Sequence, residues 1–136
     1  MTERKYSLEI ESDPNQLITV EEFVNYFSRD IGLNEDQING LMLAVTEATT
    51  NAIRHGNKND QTKTVLINVT ANQNILKVVV KDQGVGFDPK DVPDPTDSEN
   101  LLKDSGRGLY LMRVYMDDLQ FNITPDGTET ILILHF

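Results

Sequence analysis

A chain of 136 residues with 38% hydrophobic and 25% charged side chains is expected to form one globular domain, long enough to bury a core without cross-links. It has no cysteine and only two histidines, His55 and His135, which excludes disulfides, thiolate metal sites, cysteine nucleophiles and multi-histidine centres. Twelve basic residues against 22 acidic ones leave a net charge of −10, which argues against nucleic acid, an anionic membrane or a bare polyphosphate as ligand, unless a divalent cation and backbone dipoles offset the repulsion.

Tyr6-Ser7-Leu8-Glu9-Ile10 alternates apolar and polar residues, which predicts a strand. Asp13-Pro14 supplies a helix cap with proline at the first helical position. Leu17, Val20, Val24, Phe27 and Ile31 follow at helical spacing and predict a helix over about 14–30, ended by Gly32. Asn34 with Gln37 has the pattern of a capping box. The stripe Ile38, Leu41, Met42, Val45, Ala48, Ala52 and Ile53 then predicts a second helix over about 35–56, with Gly56-Asn57 as its stop. The β-branched runs Thr64–Thr70 and Ile75–Val80, separated by Ala71–Asn74, predict a hairpin. Breakers that include Gly84, Gly86, Pro89, Pro93, Pro95 and Gly106 predict irregular chain between Asp82 and Gly108. Leu109, Met112, Val114 and Met116 predict a short helix after Gly108. Leu119–Thr124 and Thr130–Phe136 read as two last strands joined through Pro125-Asp126-Gly127. This order implies an α+β domain in which helices cover one face of a mixed, mainly antiparallel sheet.

Three places offer chemistry. Glu47, Asn51 and His55 lie four apart on the second helix, where each step of four turns by only about 40° and advances about 6 Å, so they form one polar row. Ala44, Ala48 and Ala52 beside them are small enough to let a ligand approach. Asn51 offers the amide oxygen that Mg²⁺ accepts, and Glu47 can take a proton from a hydroxyl or a water. Asp82-x-Gly84-x-Gly86 follows an apolar strand, where a carboxylate can accept a hydrogen bond from an exocyclic amine while glycines let a flat ring pass close. Ser105-Gly106-Arg107-Gly108-Leu109 opens a helix, where backbone N–H groups bind phosphate. Each motif alone is more often ordinary structure: a solvated helix face, an Asp-Gly turn, a helix cap. The segment Asp88–Asp104, with six acids against two lysines, sits between the two glycine motifs and reads as a lid of about 88–105.

Taken in order, Glu47-x-x-x-Asn51, Asp82-x-Gly84-x-Gly86, Gly106-x-Gly108 and Gly127-Thr128 resemble the N, G1 and G2 boxes of the GHKL ATPase superfamily, which includes gyrase, Hsp90, MutL and sensor histidine kinases. Glu47-Ala-Thr-Thr-Asn51-Ala-Ile-Arg-His55-Gly, and Ser105 to Met112 followed by Tyr115-Met-Asp-Asp118, are similar to the bacterial anti-sigma factor serine protein kinases. The resemblance implies a Bergerat-type two-layer sandwich that binds ATP and Mg²⁺. It implies Glu47 as general base toward a substrate serine, Asn51 as the Mg²⁺ ligand, and His55 near the phosphates at the end of the N box. It also implies Asp82 as reader of adenine, with Gly84 and Gly86 lining the base. The phosphates would lie on Ser105, Gly106, Arg107, Gly108 and Leu109, with Lys103 just before them. Thr128 or Thr130 would complete the adenine end, strand alternation placing both on one face. Relatives often carry a basic residue where this chain has Asp104, and Lys103 or Arg107 is the available substitute.

The function implied is an ATP-dependent protein serine kinase that acts as an anti-sigma factor and phosphorylates a small antagonist protein in a partner-switching circuit. The alternative is a nucleotide-gated binding module without phosphate transfer. Implied partners are a sigma factor, the antagonist and a second copy of the chain, paired through the N-terminal strand and helix by Phe23, Tyr26 and Phe27. No apolar run approaches the ~20 residues that span a bilayer and the start Met1–Lys5 is unlike a signal peptide, so the expected location is the cytoplasm.

Overall fold

The computed structural model describes residues 3–84 and 104–136, with the backbone alone for 104–107. Strand β1 (Arg4–Glu11) leads to a single 3₁₀ turn at Pro14–Gln16, and helix α1 (Leu17–Asp30) follows. The predicted cap is present, with Asp13 accepting from the Asn15 N–H at 2.9 Å, but the first turn it caps is 3₁₀ and the α-helix starts at Leu17. Val20, Val24 and Phe27 point from α1 into the core, and Gly32 at φ +87° turns the chain out of the helix.

Helix α2 (Glu35–Asn51) starts on a complete capping box: Asn34 accepts from the Gln37 N–H at 2.8 Å and Gln37 accepts from the Asn34 N–H at 2.9 Å. Its ladder does not run to residue 56. Thr46, Thr49 and Thr50 donate their hydroxyls to carbonyls four residues back, at 2.8, 2.7 and 2.8 Å, competing with the backbone for those acceptors. Directly after them the chain widens into a π turn over Ala52–Gly56, closed by the Asn57 N–H on the Ala52 carbonyl at 2.8 Å.

Strands β2 (Thr64–Ala71), β3 (Ile75–Lys81), β4 (Asp118–Thr124) and β5 (Gly127–His135) join β1 in the order β1-β2-β3-β5-β4. Every pairing among them is antiparallel, so the mixed character expected of the sheet is absent from the described residues. Alternation along the strands sorts the residues onto two faces. Val65, Ile67, Val69, Leu76, Val78, Val80 and Leu132 are buried under the helices, while Asn68, Lys77 and Lys81 face out on the other side. Helix α3 (Asp104–Tyr115) packs beside α2, with Met112 buried. Val114, predicted on its apolar face, is 55% exposed instead. The helix also begins before Gly108 and not after it. The result is an α+β two-layer domain with its helices on one face of the sheet.

Candidate active site

Of the predicted polar row, Glu47 and Asn51 lie in α2 and His55 in the π turn that follows it. Glu47 and Asn51 are half-buried, within a helix whose buried neighbours Ala44 and Ala48 keep the surface low. His55 lies beyond the switch to π geometry and is exposed.

Asp82 ends β3 and is 5% exposed. Its Oδ1 accepts from the N–H groups of Gly84 and Thr128, both at 3.0 Å, and its own N–H donates to the Thr128 carbonyl at 3.0 Å. These bonds fix the plane of the carboxylate and aim Oδ2 at Gly56, where a methyl group would overlap it. A methyl on Gly84 would overlap the Gly56 carbonyl, and one on Gly127, at φ +149°, would overlap the Asp82 carbonyl. Three glycines far apart in sequence therefore give Asp82 its room, and Gly56 is one that sequence reasoning used only as a helix stop. Thr128 is brought to Asp82 through its backbone, while Thr130 pairs with Val80 one step up the strand. Both stay on the helix-covered face, as alternation requires.

The third motif reaches the first through Gly108. A methyl built there would stand 2.7 Å from Glu47 Oε2 and 3.7 Å from Asn51 Nδ2, so α3 approaches α2 closely because residue 108 has no side chain. Since α3 starts at Asp104, the N–H groups of Ser105 and Gly106 fall among the four that a helix leaves unpaired, and Gly108 lies two residues beyond them. Leu109 is half-buried against the core. Gly86, Lys103 and most of the lid assigned to 88–105 lie outside the described residues, as do the side chains of Ser105 and Arg107.

The residues around Asp82 suit an adenine ring, because a buried, oriented carboxylate can accept only from a donor such as an exocyclic amine. Among the described residues no group of three or more His, Cys, Asp and Glu side chains gathers to cage a metal. The single amide oxygen of Asn51 beside Glu47 suits Mg²⁺, which keeps waters and substrate phosphates in most of its coordination sphere.

Residues 10–134 match the model of the histidine kinase-like ATPase domain. The chain belongs to this family. A serine-protein kinase RsbW from Bacillus licheniformis is 35% identical over 107 residues, covering 74% of this chain and 67% of the relative. An anti-sigma F factor from the same species is 34% identical over 98 residues, covering 71% and 67%. A serine-protein kinase RsbW from Bacillus subtilis is 36% identical over 96 residues, covering 66% of this chain and 60% of the relative. Among solved structures, the RsbU and RsbW domains of a Mycobacterium tuberculosis protein superpose with a TM-score of 0.71 at 16% identity, over 96% of this chain and 31% of that one. The histidine kinase domain of a blue-light activated histidine kinase from Erythrobacter litoralis superposes with a TM-score of 0.61 at 18% identity, over 92% and 61%. These two likenesses concern the fold. No helix among the described residues is long and apolar enough to cross a membrane.

Proposed function

We propose that this histidine kinase-like ATPase domain is an ATP-dependent protein serine kinase that acts as an anti-sigma factor, phosphorylating a small antagonist protein in a partner-switching circuit. The observation that carries the reading is the meeting of Glu47, Asn51 and Gly108 at one end of α2, in a chain whose matched relatives are serine-protein kinases and an anti-sigma factor. A binder without transfer activity has no use for a carboxylate held beside the candidate metal ligand.

In this reading Asp82 accepts the adenine amine, with Gly84 and Thr128 behind it. Asn51 holds Mg²⁺ through its amide oxygen, and the N–H groups at the start of α3 face the phosphates. Magnesium bound there supplies the positive charge that a chain of net charge −10 lacks. Glu47 accepts the proton of the antagonist's serine hydroxyl as that oxygen bonds to the γ-phosphorus, while the bond from that phosphorus to the β–γ bridging oxygen breaks and ADP leaves. His55, exposed one turn beyond Asn51, would lie near the phosphates.

The edge of the sheet supports pairing of the chain with a second copy. Among the described residues strand β1 has a neighbour on one side only, and beside it Tyr26 is 65% exposed next to Tyr6, with ring centroids 6.2 Å apart. Phe23 is half-buried at this surface, whereas Phe27, expected in the same contact, is fully buried in the core and cannot serve it. An unpaired strand edge flanked by an exposed aromatic supports a homodimer through β1 and α1, in the cytoplasm where sigma factors act.

The test is to recover the proteins that co-purify with the tagged chain and add Mg-ATP. The reading expects one small partner to acquire phosphoserine and to leave the complex. Co-purification of a partner that ATP never modifies would remove the kinase claim.

A further inference from the structure

Asn57 belongs to none of the three motifs, yet it is 1% exposed and its side chain reaches three separate parts of the chain. Its Nδ2 donates to Ser12 Oγ at 2.7 Å, just past the end of β1, and to the Thr64 carbonyl at 2.9 Å, at the start of β2. Its Oδ1 accepts from the Gln83 N–H at 2.7 Å, one residue after Asp82. Both amide protons and the oxygen are therefore in use. The reverse orientation of the amide would set its oxygen against the Thr64 carbonyl, so only one orientation satisfies the site. Ser12 completes the arrangement by donating its hydroxyl to the Lys63 carbonyl at 2.8 Å.

The backbone spends conformational freedom to keep Asn57 in place. The π turn delivers its N–H to the Ala52 carbonyl, and the next two residues, Lys58 and Asn59, adopt left-handed φ angles of 53° and 58°. For residues other than glycine that conformation carries a cost, and it persists where the surroundings demand it. Gln83 is tied a second time, its Oε1 accepting from the Thr64 N–H at 2.7 Å. Thr128 and Gly84 hold the Asp82 carboxylate from the β5 side, and Asn57 with Thr64 holds the following peptide from the β2 side.

We infer that Asn57 is a positioning residue for base recognition: by fixing the Gln83 peptide to β2 and to Ser12, it sets where the Asp82 carboxylate stands. This rests on the reading of Asp82 as the acceptor of the adenine amine. The consequence is a specificity effect and not merely a stabilising one, because a carboxylate free to shift satisfies itself on neighbouring N–H groups and gains less from the ligand's amine.

The experiment compares binding of Mg-ATP with binding of the Mg complex of purine riboside triphosphate, which lacks the exocyclic amine, by titration calorimetry. The wild type should prefer ATP by about 10- to 100-fold, the worth of one hydrogen bond to a charged acceptor. Asp82→Ala should lose the preference. Asn57→Ala should reduce it to about threefold or less while circular dichroism still reports the folded domain. A preference in Asn57→Ala equal to that of the wild type overturns the inference, and lowered affinity for both ligands alike makes Asn57 structural only. If Asn57→Ala does not fold, Ser12→Ala decides, since it removes one acceptor that orients the amide: a reduced preference supports the inference and an unchanged one overturns it. Absence of any preference in the wild type removes the Asp82 reading itself, and the role of Asn57 falls with it.

Discussion

Gly108→Ala should separate stability from activity. Residue 108 lies inside α3 and its φ is not in the left-handed region, so alanine fits the backbone and relieves the entropic cost of glycine in a helix, about 0.5–1 kcal/mol. The new methyl would stand 2.7 Å from Glu47 Oε2, where ordinary contact begins near 3.4 Å. The carboxylate is the far end of a flexible side chain, so it yields by about 0.7 Å and the helix does not. Thermal unfolding should show a midpoint unchanged or raised by about 2–5 °C. Misplacement of a reacting group on this scale costs up to about 100-fold, so phosphate transfer to the antagonist should fall toward that limit. Glu47→Ala should lose about 10²–10⁴ of the rate with Mg-ATP binding nearly intact. In the double variant the methyl has no carboxylate to displace, and its further cost should be under about threefold. A Gly108→Ala protein that transfers at the wild-type rate, or a double variant whose losses multiply, would refute the proposed contact between Gly108 and a working base.

Asn51→Ala should lose both Mg-ATP binding and transfer, because the amide oxygen that holds the metal goes with the side chain; wild type at 100 times the dissociation constant should gain about 2.7 kcal/mol, seen as a rise of roughly 5–15 °C in melting midpoint, and the variant should show none. Gly56→Ala should fold yet bind Mg-ATP weakly by calorimetry, since its methyl lands on the Asp82 carboxylate. Burial, with the hydrogen bond that Tyr6 donates to Asp30 Oδ2 at 2.5 Å, raises the Tyr6 phenol above its usual range. The folded state thus holds that proton more tightly than the unfolded chain, so the contribution is full below the unfolded pKa near 10 and is lost as pH rises through the folded value. Urea midpoints should therefore fall at alkaline pH in the wild type and fall less in Tyr6→Phe.

The fold was legible wherever one physical pattern acts locally. Alternation in Tyr6–Ile10, the Asn34–Gln37 capping box and the two hairpins need only near neighbours, and each is present. The start of α3 differs from the expectation because glycines at 106 and 108 weaken a helix by propensity, whereas packing against α2 favours it. The π turn leaves no periodic mark; its available signal was the run of threonines at 46, 49 and 50, whose hydroxyls compete for helix carbonyls. Around Asp82, Gly84 is joined by local spacing, whereas Gly56, Gly127 and the amide of Asn57 come from elements remote in sequence, so no spacing rule joins them before the sheet does.

The central claim is tested most directly by a single turnover with γ-labelled Mg-ATP and the purified antagonist. The account predicts label on one serine of the antagonist at close to one phosphate per kinase, with the rate reduced about 10²–10⁴-fold in Glu47→Ala and no label when that serine is alanine. A wild-type protein that binds both Mg-ATP and the antagonist yet leaves the serine unlabelled would contradict it.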